Sequence, residues 1–205
     1  MKKGKVIAFE GMEGAGLSTI LSYLPRVCPT GTVFTHEPGG TERGVEIKKL
    51  ISSDIHHDFT PETLYNLYWR DRIYHLDEVI RPALQKGDSV IIKHFTAANF
   101  AHQIFGLSNH GLRLRFIENC DKYLKDIEPI YHILIDVLPE VAQERKLRGG
   151  KPTKFVNQSF DYALVRKGYL DFMTLTPHAV IINGNRSLRV VVSEVKKVVK
   201  AILTA

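Results

Sequence analysis

The chain has 205 residues, of which 44% are hydrophobic and 24% are charged, so its composition fits one globular domain with a sizeable core. Its two cysteines, Cys28 and Cys120, are too few for a disulfide framework and lack metal-ligand spacing, which excludes a disulfide-stapled secreted domain. The basic segment 1–5 precedes only four apolar residues before Glu10, and no later stretch is long enough to cross a membrane. We therefore expect a single domain, residues 1–205, in the cytoplasm.

The net charge of +6 suits anionic ligands such as nucleotides, but it also attracts nucleic acid without specificity. The sequence contains no dense basic run and no stripe of alternating basic and aromatic residues. The charge therefore favours a small anionic substrate over a nucleic acid.

The first predicted elements are a buried strand at 6–9, a glycine-rich loop and a short helix that begins at Thr19 and ends before Pro25. The loop nearly matches the Walker A pattern, in which backbone amides close around phosphate oxygens. Ser18 stands where the hydroxyl of this motif can bind a Mg²⁺ ion beside the phosphates. The residues assigned to the phosphates of a nucleotide are Gly11, Met12, Glu13, Gly14, Ala15, Gly16, Leu17, Ser18 and Thr19.

Leu17 departs from this pattern, because Walker A loops carry a lysine at that position. A cation about 4 Å from a phosphate contributes roughly 4 kcal/mol at an effective dielectric constant near 20, so its uncompensated loss is severe. The helix start still offers unpaired amides to an anion. A purely structural turn is the alternative, but the strand before the loop and the helix after it favour a nucleotide site.

The later elements alternate between short apolar runs and stretches with helical spacing. Strands are predicted at 33–36, 89–93, 131–136 and 179–182, and helices at 42–51, 61–80, 113–125, 139–148, 159–175 and 187–203. Pro82 is expected to bend the end of the long helix, and Ser159 and Ser187 to cap two others. Five short apolar strands alternating with helices predict an α/β fold in three layers, with a parallel sheet between helices.

Ligands of such folds bind beyond the carboxyl ends of the strands. The residues that follow the predicted strands are the glycine loop, Glu37, 93–95 and Asp136, so we expect them around one crevice. On the long helix, Tyr68 and Arg72 lie one turn apart, and together they offer a ring for a base and a guanidinium for its polar edge or for a phosphate. Core packing of Tyr68 and a solvated Arg72 are the alternatives.

Five segments, in order along the chain, resemble the thymidylate kinases, which transfer a phosphoryl group from ATP to thymidine monophosphate (dTMP). The segments are 9–16, Glu37-Pro38-Gly39-Gly40-Thr41, 68–84, 134–141 and 165–170. The resemblance implies a P-loop NTPase fold with five parallel strands flanked by helices, a homodimer packed through helices, Mg²⁺ with ATP at the glycine loop, and dTMP beneath the long helix.

The resemblance also assigns individual residues. It places Tyr68 against the base, Arg72 on the base or the phosphate, and Glu37, His94 and Gln103 on the acceptor side. The segment at about 146–158 would be a lid over ATP. Because the glycine loop has no arginine, the chain resembles the bacterial subtype with its catalytic arginine in the lid. The candidates are Arg145 and Arg148, with Lys146, Lys151 and Lys154 nearby.

The chain departs from the family where the chemistry occurs. The family has a lysine at Leu17, and it has an Asp-Arg pair, which holds Mg²⁺ and the acceptor phosphate, at Lys93-His94. His102 stands where an aromatic residue is usual, and Ala98 where a small hydroxyl residue is. Both the Walker A motif and the Asp-Arg motif are therefore degenerate.

Two functions remain open. In the first, Lys93 reaches from the neighbouring strand end to the phosphates as a catalytic residue, so that an altered or reduced kinase activity persists. In the second, the chain is an inactive relative that binds a nucleotide or a protein partner. The retained acceptor residues favour the first; they are Glu37, Tyr68, Arg72 and Gln103.

Overall fold

The computed structural model describes residues 4–53, 58–149 and 161–205. Five parallel strands form one sheet in the spatial order β2-β3-β1-β4-β5. The strands are β1 (Val6–Glu10), β2 (Val33–His36), β3 (Val90–Lys93), β4 (Ile130–Asp136) and β5 (Ala179–Asn183). This arrangement confirms the predicted parallel sheet and all five of its strands.

Helices flank the sheet. They are α1 (Leu17–Leu21), α2 (Glu42–Ile51), α3 (Pro61–His75), α4 (Arg81–Gln85), α5 (Thr96–Asn99), α6 (Arg113–Tyr123), α7 (Pro139–Gly149), α8 (Tyr162–Leu175) and α9 (Leu188–Thr204). A π-helical segment, Leu76–Ile80, joins α3 to α4, and a second one, Phe100–Gly106, continues α5. Among the described helices, none combines the length and the apolar character that a membrane crossing requires.

The central strand β1 explains why the apolar runs in the sequence form strands. All five of its residues are buried, because β3 and β4 pair with its two edges and helices flank the sheet. A strand covered on both faces needs no polar alternation. In this register Phe9 lies opposite Lys93 on β3 and Ile133 on β4, so the three strands end at the same edge.

The helical region 96–106 was not predicted. Its apolar residues Phe100, Ala101 and Ile104 are completely buried, because α8 packs closely against this region. A helix that is buried on most of its surface shows no amphipathic stripe, and the sequence pattern therefore gave no signal there.

Two helix boundaries depend on features that the sequence did not predict. The long helix continues beyond Pro82 to Gln85, because the π-helical segment places Pro82 in the first turn of α4, where its missing amide costs no hydrogen bond. The cap of α8 is Asp161, whose carboxylate accepts hydrogen bonds from the amides of Ala163 and Leu164. Ser159, the predicted cap, lies outside the described residues. Ser187 precedes α9 as predicted but makes no side-chain capping bond.

Gly168→Ala tests the close packing of α8 on the segment 100–106. An added Cβ would lie 2.8 Å from Ala101 Cα and 2.8 Å from Phe105 Cβ, so the two helical segments must separate. We expect the free energy of unfolding to fall by about 1–3 kcal/mol in urea denaturation. Gly111→Ala is the control, since the nearest atom to its added Cβ is 3.7 Å away. Equal stability changes in the two variants would contradict this packing.

Candidate active site

A cavity of about 730 Å³ opens at the carboxyl edge of the sheet, which is a typical volume for a small-molecule site. The predicted site residues that line it are Gly11, Met12, Glu13, Gly14, Gly16, Leu17, Ser18, Thr19, Glu37, Tyr68, Arg72, Lys93, His94, Gln103 and Arg145. Ala15 is buried within the loop. Arg148 is exposed and pairs with Glu144 one turn earlier on α7, at 2.6 Å. The fold thus gathers most of the predicted residues around one cavity.

The glycines of the loop are required by its backbone and by its neighbours. Gly14 and Gly16 have positive φ values of 91° and 83°, which side chains disfavour. A Cβ on Gly14 would lie 2.4 Å from the carbonyl oxygen of Ala142, because α7 packs directly on the loop. A Cβ on Gly16 would meet no atom within 4 Å among the described residues. The loop is therefore held by α7 on one side and open on the other.

The loop has no lysine of its own, because Leu17 stands at that position, and Lys93 of the neighbouring strand contacts the loop instead. The Leu17 side chain is 4% exposed and belongs to the main hydrophobic core. The ammonium group of Lys93, at the end of β3, donates a hydrogen bond of 2.8 Å to Ser18 Oγ in the glycine loop. A lysine therefore reaches the loop from the adjacent strand, and its contact with a phosphate stays a prediction.

Lys48, on α2, is a cavity residue that the sequence analysis missed. Burial lowers the pKa of Lys93, and the nearby charge of Lys48 lowers it further. Within the described parts of the chain, neither lysine forms a salt bridge with a carboxylate. The signal for Lys48 was its position beside Ile47 and three residues before Ile51, which are both buried on the inner face of α2. The cavity therefore holds two cations whose charge is available to an anion.

The histidines around the cavity do not add to this charge at neutral pH. Burial, followed by the charge of Lys93, lowers the pKa of His94 to about 3. Burial lowers the pKa of His102 to about 4, and the pKa of His36 is also lowered, first by burial and then by Lys48 and Lys93. His94 is therefore neutral at the position where the family has an arginine.

On the acceptor side, the carboxylate of Glu37 contacts two buried basic side chains, those of Arg72 and His75. Its carboxylate accepts a hydrogen bond of 2.7 Å from Arg72 Nη2 and lies 2.9 Å from His75 Nδ1. The other ring nitrogen of His75 lies 2.7 Å from Thr35 Oγ1 on β2. The carboxylate thereby links the end of β2 to α3 and fixes the guanidinium at the cavity wall.

The guanidinium of Arg72 is completely buried rather than solvated, and it lies 4.8 Å from the ring of Trp69 and 4.7 Å from that of Phe95. Its Nε and Nη1 have no hydrogen-bond partner among the described residues, and neither do Asn99 Oδ1 and Gln103 Nε2. All three residues line the cavity. Asn99 was missed by the sequence analysis because it lies in the helical region that the sequence did not predict. These buried atoms can therefore bind the polar edge of a ligand.

Tyr68 lies partly buried on the cavity wall, packed against the cluster of Ile47, Ile51 and Leu64. Burial raises the pKa of its phenol, so the hydroxyl stays protonated. The side chain therefore contacts both the core and the cavity.

The described part of the lid region contacts the glycine loop. Arg145 lines the cavity and donates to the carbonyl oxygen of Gly184 at 2.9 Å. Lys146 forms a salt bridge of 2.7 Å with Glu13 of the loop and a hydrogen bond with Tyr162. The remainder of the predicted lid, with Lys151 and Lys154, lies outside the described residues.

The donor set around Ser18 does not fit a magnesium site. Ser18 Oγ, the predicted ligand, already accepts a hydrogen bond from a cation, Lys93. Three of the four carboxylates near this edge are engaged by cations of the chain: Glu13 by Lys146, Glu37 by Arg72, and Asp136 by two bonds from Arg166. The fourth, Glu10, accepts hydrogen bonds from backbone amides through Oε1, whereas its buried Oε2 has no partner among the described residues. Among the described residues, no three His, Cys, Asp or Glu side chains are grouped as a metal site. Ser18 as a metal ligand stays a prediction, and it requires Lys93 to move.

An all-parallel, five-stranded sheet with a glycine loop after its central strand, flanked by helices, is a P-loop NTPase fold. A sequence model of the family described as "Thymidylate kinase" matches residues 9–195. The thymidylate kinase of Ralstonia pickettii is 36% identical over 193 residues, covering 89% of this chain and 91% of the relative. That of Burkholderia cenocepacia strain J2315 is 32% identical over 212 residues, with 98% and 100% coverage.

The solved thymidylate kinase of Ehrlichia chaffeensis matches the fold with a TM-score of 0.72 at 23% identity, over 96% of this chain and 99% of that chain. This chain therefore belongs to the thymidylate kinase family of P-loop nucleoside monophosphate kinases.

His94→Asn tests the burial of a neutral imidazole. The pKa of about 3 in the folded state lies below the ordinary value of 6.5, so protons bind preferentially to the unfolded chain as the pH falls below about 6.5. Asparagine does not titrate and tolerates the φ of 60° at this position. Between about pH 7 and about pH 5, urea denaturation should show the unmodified protein losing about 1–2 kcal/mol more stability than the variant.

The control for this comparison is His110→Asn, at an exposed histidine. This variant should keep the pH dependence of the unmodified protein. The same pH dependence in His94→Asn would contradict the burial of a neutral ring.

Proposed function

We propose that the protein transfers the γ-phosphoryl group of ATP to dTMP, giving ADP and dTDP, at a rate altered by the rearranged phosphate site. One observation carries this proposal: a single cavity extends from the glycine loop and Lys93 to the unpaired buried polar atoms of Arg72 and Gln103. Family membership supplies the reaction, and the cavity supplies a place for both substrates.

The acceptor pocket offers thymine a stacking face and hydrogen-bond partners. The ring of Tyr68 offers a face for stacking a base, which contributes roughly 1–3 kcal/mol. The free donors of Arg72 and Gln103 match the carbonyl oxygens of thymine, and Asn99 Oδ1 matches its N3–H group. Glu37 acts through Arg72, because its carboxylate holds the guanidinium in place.

The donor side relies on the glycine loop and on cations of the chain itself. The phosphate of dTMP attacks the γ-phosphorus of ATP with one of its oxygens, a new P–O bond forms, and the β–γ bridging oxygen leaves with the electron pair as part of ADP. Such a transfer depends on positioning and on stabilising the charge of the phosphoryl group. Lys93 stands beside the loop for this role, and Arg145 is the candidate from the lid region.

Magnesium normally neutralises charge between the β- and γ-phosphates of ATP, and the family resemblance implies it here. The donor set around Ser18 does not fit the ion, because the ammonium of Lys93 is already bound to the serine hydroxyl. We also propose a cytoplasmic homodimer packed through helices. The exposed apolar side chains of Leu114 and Ile117 on α6 support this assembly.

The second candidate is an inactive relative that binds nucleotides or a protein partner. The burial of Leu17 in the core favours it, since the loop has lost its own cation. Binding without turnover would identify this function.

Phosphoryl transfer is tested with purified protein, radiolabelled ATP and dTMP, with chromatographic separation of dTDP. We expect dTDP formation that disappears in the Tyr68→Ala variant, purified in parallel as the control for a contaminating host kinase. No turnover above this control, together with retained binding of ATP and dTMP, would contradict the kinase function and support the inactive relative.

Binding of dTMP to Tyr68 variants tests the stacking role separately. Tyr68→Ala should weaken dTMP binding by about 1–3 kcal/mol in isothermal titration calorimetry, because the base loses its aromatic partner. Tyr68→Phe keeps the ring and should bind dTMP with nearly unchanged affinity. Unchanged affinity of the Tyr68→Ala variant for dTMP would mean that Tyr68 packs in the core and does not stack on the base.

A further inference from the structure

The hydrogen bond between Lys93 and Ser18 involves the same oxygen that P-loop proteins use for Mg²⁺. In those proteins the hydroxyl of the Ser or Thr after the loop lysine is a ligand of the ion between the β- and γ-phosphates. Here Ser18 Oγ accepts a hydrogen bond of 2.8 Å from the ammonium of Lys93. Mg²⁺ requires an oxygen at about 2.1 Å and would be repelled by an ammonium bound to the same atom.

We propose that the ammonium group of Lys93 takes the place of the Mg²⁺ ion, so that this chain binds ATP in its metal-free form. The inference rests on the proposed function, because it concerns the same ATP site. It goes further in naming the ionic form of the nucleotide that the site accepts.

The charges around the cavity agree with this form of ATP. Metal-free ATP carries more negative charge than its magnesium complex, and the cavity offers it Lys93 and Lys48, neither of which is neutralised by a carboxylate within the described residues. A phosphate group beside Lys93 would supply the anionic partner that this ammonium lacks among the described residues.

Most of the carboxylates near this edge are also bound by cations of the chain. Glu10 is completely buried; its Oε1 accepts a hydrogen bond of 3.1 Å from the amide of Phe95, and its Oε2 has no partner among the described residues. Asp136 is bound by both arms of the Arg166 guanidinium, at 2.8 and 2.7 Å. At the end of β3, where the family has an aspartate, the chain carries Lys93 itself. The same substitution that adds a cation therefore also removes a carboxylate that would attract the ion.

The ammonium that replaces the metal ion is that of Lys93. Removing it should therefore make ATP binding depend on Mg²⁺. Removing the ammonium in Lys93→Met frees Ser18 Oγ and takes away the cation. We expect ATP binding in EDTA to weaken by about 10²–10³-fold, and excess MgCl₂ to restore part of it. Lys49→Met, at an exposed residue of α2, removes the same charge outside the cavity and should bind ATP as the unmodified protein does.

The deciding experiment is calorimetric titration of the full-length protein with ATP, once in excess EDTA and once in excess MgCl₂. The proposal predicts that the affinity in EDTA equals or exceeds the affinity in MgCl₂. A tenfold or greater loss of affinity in EDTA would overturn it while leaving the proposed ATP site intact. No binding under either condition would overturn the ATP site and this inference together. Circular dichroism of each variant separates loss of binding from loss of folding.

Discussion

The parallel pairing of β3 with β1 is the constraint on which the active site depends. It sets Lys93 opposite Phe9, two residues before Gly11 at the start of the glycine loop, and so brings a lysine from one strand to the loop that follows another. The ammonium then reaches Ser18 Oγ, while Leu17 turns into the hydrophobic core. Because the register is fixed by buried residues on both strands, the fold sets the backbone position from which the Lys93 side chain reaches the loop.

The acceptor side contrasts with the phosphate side. Glu37, Arg72 and His75 form a buried network in which each charge has a partner, and breaking such a pair by removing one member costs about 3–5 kcal/mol. The same network leaves two nitrogens of Arg72 available at the cavity wall. The side chains of the proposed acceptor pocket thus also belong to the buried network that holds β2 to α3, whereas the proposed phosphate site uses a lysine from β3.

The sequence predicted the parts of the structure that leave a local pattern. The five strands are short apolar runs, the loop has a glycine spacing, and Tyr68 and Arg72 lie one helical turn apart, so each could be found from its own neighbourhood. Asn99 and the helical region 96–106 could not, because burial on most sides removes the amphipathic signal. The partners of Glu37 could not either, since contacts between residues far apart in the chain depend on how the elements pack.

A crystal structure of the protein with a non-hydrolysable ATP analogue and dTMP, grown in the presence of MgCl₂, is the most direct test of the central claim. The account predicts Lys93 Nζ within about 3 Å of a phosphate oxygen, still beside Ser18, with no metal ion on the serine hydroxyl. A magnesium ion bound to Ser18 Oγ, with Lys93 turned away from the phosphates, would contradict it.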